Sequence, residues 1–347
     1  MIDAIAVYII HGFVVLGAVL LFFFAGPPAT LCAALRAGCR PAGEKTTCLR
    51  LNSGCFNAGD AFVEVKALAA ITPRHSGSPG AQKTAEHLLS RLRAMGMEAA
   101  LDEFEEETPV GKIPFRNVIG ILPGREADGR PVLAWIIVGA HYDTKSGVSG
   151  NFAGANDSGS GTGVLLELAR VIKNSPCLPV NFLFAFFDGE ECVSRYGKND
   201  GLHGSRRLAA QLVRDGRSRK VRAVIILDMV GDRDLNITIP RNSALSLVSA
   251  LFSAAEAEGT RAKFTLRSSE ILDDHQPFLS AGMPAIDIID FEYGSGPGKN
   301  DYWHTPEDTA DKLSVQSLEV VGRTTVRMLD YLIQGVSPVV KRGKPFE

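Results

Sequence analysis

Unbroken apolar runs recur along the chain, each followed by a polar, often acidic turn and then by a segment whose apolar positions return every three or four residues. Continuous runs of Val, Ile, Leu and Phe predict strands covered on both faces, and the three-to-four spacing predicts helices packed over them. Strands are expected at Val132–Ala140, Val180–Phe187, Val221–Leu227, Leu235–Ile239 and Ala285–Ile289. Helices are expected at Ala81–Met95, Gly161–Lys173, Ser205–Asp215, Ala244–Glu258 and Ser314–Gln334. Strands alternating with helices make βαβ units, so residues 60–335 are expected to form one α/β body.

In such a sheet, ligands gather beyond the carboxyl ends of the strands. His141 and Asp143 follow the first predicted strand, Asp188-Gly189-Glu190-Glu191 the second, Asp228 the third, and the loop to His304 the last. Side-chain alternation turns His141 and Asp143 toward the same side. The glycines of Gly154-Ala155-Asn156-Asp157-Ser158-Gly159-Ser160-Gly161 would let the backbone approach a metal or substrate. Asp157 there suits either a helix cap or an oriented oxygen ligand. Adjacent acids after a buried strand are costly unless metal binding or proton transfer compensates them. Glu191 can then bind the metal while Glu190 stays free to carry protons. One or two histidines with several carboxylates suit zinc. His11, His75, His87, His203 and His275 are read as surface or hydrogen-bonded groups, with no metal assigned to them.

Charge narrows the partners. Lys and Arg total 37 against 39 Asp and Glu, a net charge of -2 with no basic run, which excludes the electrostatic footprint of a nucleic-acid binder. No residue from Ala4 to Leu35 is charged, and Ala4–Ala25 is long and apolar enough to cross a bilayer. Residues 1–30 are therefore expected to be a signal or anchor segment, 31–59 a linker and 336–347 a C-terminal tail. The nearest positive charges, Arg36, Arg40 and Lys45, lie C-terminal to the apolar segment, against the usual orientation rule. The reading preferred here is a membrane-anchored or exported body, periplasmic or extracellular. Cys48 and Cys55 could close a small disulfide loop or remain free thiols, and no CxxC metal pattern exists.

The ordered set His141-x-Asp143, Gly154-Ala155-Asn156-Asp157, Gly189-Glu190-Glu191, Leu227-Asp228-Met229 and Trp303-His304-Thr305 resembles the M28 family of zinc aminopeptidases and the glutaminyl cyclases that share its fold. The resemblance spans roughly residues 60–335. It implies a three-layer α/β sandwich, with a mostly parallel, twisted mixed sheet between helices. It also implies Asp157, Glu191 and His304 as zinc ligands, Glu190 as the catalytic acid and base, and Asp228 and Asp273 as proton-sharing partners. Ser76-Gly77-Ser78-Pro79-Gly80, Thr108-Pro109-Val110-Gly111, Phe115-Arg116-Asn117-Val118, the stretch from Cys192 to His203 and Asp273-Asp274-His275 look like cyclase segments. Trp303 and Tyr196 are then expected to wall the substrate pocket, Tyr196 standing where animal cyclases carry Trp. Ala140 replaces their disulfide cysteine, as bacterial cyclase-like proteins do.

What the resemblance implies is a zinc enzyme that closes the N-terminal glutamine of a peptide to pyroglutamate, with one zinc. The main rival is a two-zinc aminopeptidase, in which His141 and Asp228 hold a second ion and Asp157 bridges the pair. A third reading, a binding module that has lost catalysis, fits poorly with intact Glu190, Glu191, Asp157 and His304.

Overall fold

The computed structural model describes residues 50–125, 129–175 and 178–335. A six-stranded sheet has the order β1-β2-β4-β3-β5-β8, comprising Glu98–Thr108, Gly111–Leu122, Asn181–Phe187, Trp135–His141, Val221–Asp228 and Ala285–Ile289. β4, β3, β5 and β8 run parallel, while β1 and β2 form an antiparallel hairpin on one edge. The expected mixed, mostly parallel sheet is therefore present.

Strand alternation divides the apolar residues between two cores. Val138, Phe184, Ile225 and Ile288 face one side, where α1 (Ala58–Ala69), α2 (Pro79–Ala94), α3 (Gly161–Lys173), α5 (Leu245–Ala257) and α7 (Val315–Gln334) pack. Ile137, Leu183, Phe187 and Ile226 face the other, beneath α4 (His203–Arg214) and α6 (His275–Ser280). Apart from Trp135 and Arg222 near their starts, β3, β4 and β5 are buried because helices cover both faces, as their apolar runs require.

Several elements depart from the sequence reading, α1 and α6 among them. β1 and β2 are long strands that apolar periodicity alone does not reveal, because β1 is half-exposed and six of its 11 residues are acidic. Its register is fixed by the turn at Gly111, which takes φ 102°, and by Phe104 stacked on Phe115 at 5.3 Å. The strand expected at Leu235–Ile239 shrinks to β6, Ile237–Ile239, which pairs with β7, Phe264–Leu266, outside the main sheet. Packing also reaches back before residue 60: Leu51 and Phe56 are buried, and the Leu51 N–H donates to Asp330 on α7.

Cys55 and Cys192 are free, and Cys48 lies outside the described residues. The apolar segment at 4–25 and the tail at 336–347 also lie outside them. Among the described residues, no helix is long and apolar enough to cross a membrane.

Candidate metal centre and catalytic pocket

The carboxyl ends of β3, β4 and β5 bring the polar residues together. His141 ends β3, Asp228 ends β5, and Glu190 and Glu191 follow β4 across the turn at Gly189. Asp157 comes from the loop before α3, a segment pressed so closely on the sheet that a Cβ at Gly161 would lie 2.2 Å from the Leu227 carbonyl oxygen. At Gly154 and Gly161 the missing Cβ makes room for neighbouring backbone, the carbonyl oxygens of Asp157 and Leu227. His304 arrives from the loop after β8 with φ 54°, a left-handed backbone that costs a non-glycine residue about 1–3 kcal/mol. Such a conformation persists where surrounding contacts impose it.

Asp157 is the hinge of the cluster. Its Oδ2 lies 3.2 Å from His304 Nε2, which lies 2.8 Å from Glu191 Oε1. On its other side, Oδ1 lies 3.2 Å from His141 Nε2, itself 3.2 Å from Asp228 Oδ1. Two groups, Asp157–Glu191–His304 and His141–Asp157–Asp228, thus each place their donor atoms within 4.8 Å of one another. Their imidazole nitrogens and carboxylate oxygens are the donors that zinc takes. The buried Glu191 Oε2 has no hydrogen-bond partner among the described residues, an oxygen suited to a cation, with Lys145 Nζ 3.5 Å away. The residues therefore fit a divalent metal.

Electrostatics separate the roles. Burial favours neutral Asp157, yet hydrogen bonds from His141 and His304 hold it far below the ordinary carboxylate range. Burial opposes charge on His304, but Asp157 and Glu191 outweigh it and carry the imidazole up to about 10. Glu190 goes the other way: burial pushes it well above the ordinary range, and the opposing charge of His141 is not enough to offset Glu191, Asp273 and Asp274. It belongs to neither donor group. Tyr196 donates from its hydroxyl to Glu190 Oε1 at 2.9 Å. Burial likewise drives Asp228 up to about 7, with the His141 hydrogen bond opposing and the Asp273 charge adding to it.

A cavity of about 280 Å³ opens over these groups. Tyr196, Asp273, Phe291 and Trp303 help to line it, and Trp303 stacks on His304 with ring centroids 3.9 Å apart. The expected wall residues and all the expected site residues thus meet in one place.

Supports that the sequence reading did not find hold the cluster. Asp143 belongs to neither donor group, but its Oδ1 lies 3.5 Å from His141 Nδ1 and its two oxygens accept the backbone N–H groups of Glu190 and Glu191, at 3.2 Å each. Asp308 accepts from the N–H groups of Asn156 and Asp157 at 2.7 and 3.1 Å and from Tyr293 Oη at 2.9 Å. Arg74, wholly buried, donates to the carbonyls of Leu68, Tyr142, Ala153 and Gly154. His275, expected at the surface or hydrogen-bonded, is fully buried, groups with Asp273 and Asp287, and has no ring hydrogen bond among the described residues.

Residues 117–329 match peptidase family M28. The chain belongs to that family. Among its M28-type relatives is a glutaminyl cyclase from an Acidobacteriales bacterium. That crystal structure superposes with a TM-score of 0.74 at 33% identity, covering 86% of this chain and 100% of the other. A glutaminyl-peptide cyclotransferase from Drosophila melanogaster is 26% identical over 294 residues, 76% of this chain and 79% of that protein. A Zn-dependent exopeptidase from Parabacteroides distasonis shares the fold with a TM-score of 0.67 and 27% identity, covering 78% of this chain and 97% of its own.

Proposed function

We propose that this protein is a zinc-dependent glutaminyl cyclase, converting the N-terminal glutamine of peptides or proteins to pyroglutamate with release of ammonia. The observation that carries the reading is a buried carboxyl, Glu190, left outside the donor groups beside Asp157, Glu191 and His304 and facing a small aromatic-walled cavity. The M28 relatives named as glutaminyl cyclases point the same way.

Asp157, Glu191 and His304 would hold one zinc ion, whose chemistry when bound is Lewis-acid polarisation of the substrate's γ-carboxamide. The α-amine of the same residue attacks the side-chain carboxamide carbon, Cδ, forming the ring C–N bond as the Cδ–Nε2 bond breaks. Glu190, its pKa raised by burial, takes the amine proton and returns it to the departing ammonia. Tyr196 fixes the Glu190 carboxyl through its 2.9 Å hydrogen bond, and Trp303 helps to exclude water. Asp228 and Asp273 share protons with Glu190 across the buried acid network. Both reacting groups belong to one residue, so orientation supplies much of the rate. Residues 4–25 would tether or export the domain, a role that fractionation of the full-length chain tests.

A second reading rests on His141–Asp157–Asp228, a donor group able to take another cation. It would make the protein a two-zinc aminopeptidase, with Glu190 activating water against a peptide bond. Ammonia release from a short glutamine-initiated peptide, with and without a chelator, separates the two. Chelator-sensitive ammonia release with one zinc per chain is expected. Two zinc ions with release of free amino acids would overturn the cyclase assignment.

A further inference from the structure

Resting on the cyclase reading, we propose that the groove between α4 and α6 is the subsite for the residues that follow the N-terminal glutamine, and that it selects apolar ones. The catalytic cavity, about 280 Å³, lies near the lower end of the range of ligand pockets and suits about one residue of substrate. The rest of the peptide must leave over its rim. Next to it lies a second cavity of about 510 Å³, between α4 and α6. Tyr196 and Leu272 line both, so the two spaces share a wall.

Two sides of the catalytic cavity differ in chemistry. One is charged: Arg267 and Glu270 line it, and Glu270 pairs with Arg241 at 2.9 Å. The other is apolar, continuing from Leu272, 48% exposed despite its size, to Leu202, Ala209, Pro277 and Ala281. A peptide passing that way buries apolar side chains against these residues, each contributing in proportion to the area removed from water. Arg206 lines the same groove.

Ala210 and Ser280 line the groove from α4 and α6 and are exposed, so large side chains there can fill it without entering the core. The test compares kcat/KM for Gln-Gly-Leu-Phe-amide with that for Gln-Gly-amide, in the full-length wild type and in Ala210→Trp, Ser280→Trp and their double variant. The wild type is expected to favour the longer peptide at least tenfold, and the double variant to bring the ratio near one. A third arm, Gln-Gly-Glu-Glu-amide, should show no gain over the dipeptide in any of them. Dipeptide turnover checks that each variant is folded, and the single variants serve if the double one is not. A wild-type ratio within twofold, or a ratio that survives filling the groove, overturns the subsite alone. Absence of dipeptide turnover by the metal-loaded wild type overturns both the subsite and the cyclase reading.

Discussion

Two donor groups share Asp157 and differ in almost everything else. His141 and Asp228 sit on the ends of rigid central strands, and the His141 side chain is 2% exposed. His304 sits on a loop, its side chain 18% exposed, in a left-handed backbone beside the substrate cavity. In the strand-borne group His141 Nε2 lies 3.2 Å from both Asp157 and Asp228 and a proton there balances the buried acids, while Nδ1, 3.5 Å from Asp143, has no hydrogen bond among the described residues. The loop-borne group leaves a buried Glu191 oxygen without a hydrogen bond among the described residues. Coordinating residues placed on a rim can meet both an ion and a substrate, whereas the same residue types at the sheet's floor serve as well to store protons.

The sharpest break between them is metal content. His304→Ala should abolish zinc binding, while His141→Ala should keep one zinc per chain, as read by metal analysis of the purified variants; equal loss in both would erase the distinction and favour a two-ion site. Glu190→Gln comes next, since removing the proton carrier should lower kcat by about 10²- to 10⁴-fold with zinc retained. Ammonia release at an undiminished rate would refute its role. Asp308→Asn removes one of the oxygens that cradle the Asn156–Asp157 backbone, and zinc affinity should fall by about 10- to 100-fold in competition titrations. The smallest effect is that of protons.

His304 in the metal-free protein keeps its proton up to about pH 10, because Asp157 and Glu191 outweigh the burial that opposes it. A cation must expel that proton, so zinc affinity should weaken about tenfold for each unit fall in pH between pH 7.5 and 6.5. An affinity that does not vary with pH would mean His304 is not a ligand. The sign for folding is the opposite: a raised imidazole pKa contributes stability to the metal-free protein that is complete below the ordinary value of 6.5 and is lost as pH climbs through about 10.

The floor of the site was legible in the sequence because fully buried parallel strands are unbroken apolar runs, and the residue after each run has to lie at its end. Asp157, Glu191 and His304 could be nominated together on motif order, and the fold brings them within reach of one another. Their supports were hidden for a physical reason. Arg74 and Asp308 bind main-chain atoms, and a backbone amide or carbonyl leaves no mark in composition or periodicity. Asp308 and Asn156 are 152 residues apart, so only the closed chain shows their pairing. Asp143 was expected only to face the same side as His141, which it does at 3.5 Å, and alternation could not show that the turn beyond would offer it the N–H groups of Glu190 and Glu191. The β1–β2 hairpin escaped because a half-exposed border strand needs few apolar residues.

That border strand also limits how molecules of this protein can associate. Among the described residues the outer edge of β1 is an open ladder onto which another extended chain could hydrogen-bond; four of its six acids pair with Lys112, Arg116, His203 and Arg207, leaving Glu98 and Glu107 to set negative charge against a second copy of the same edge. The protection depends on ionisation and holds only while those acids stay charged. Acidification, or neutral substitutions along the hairpin, would leave an adhesive margin and turn the protein toward self-assembly.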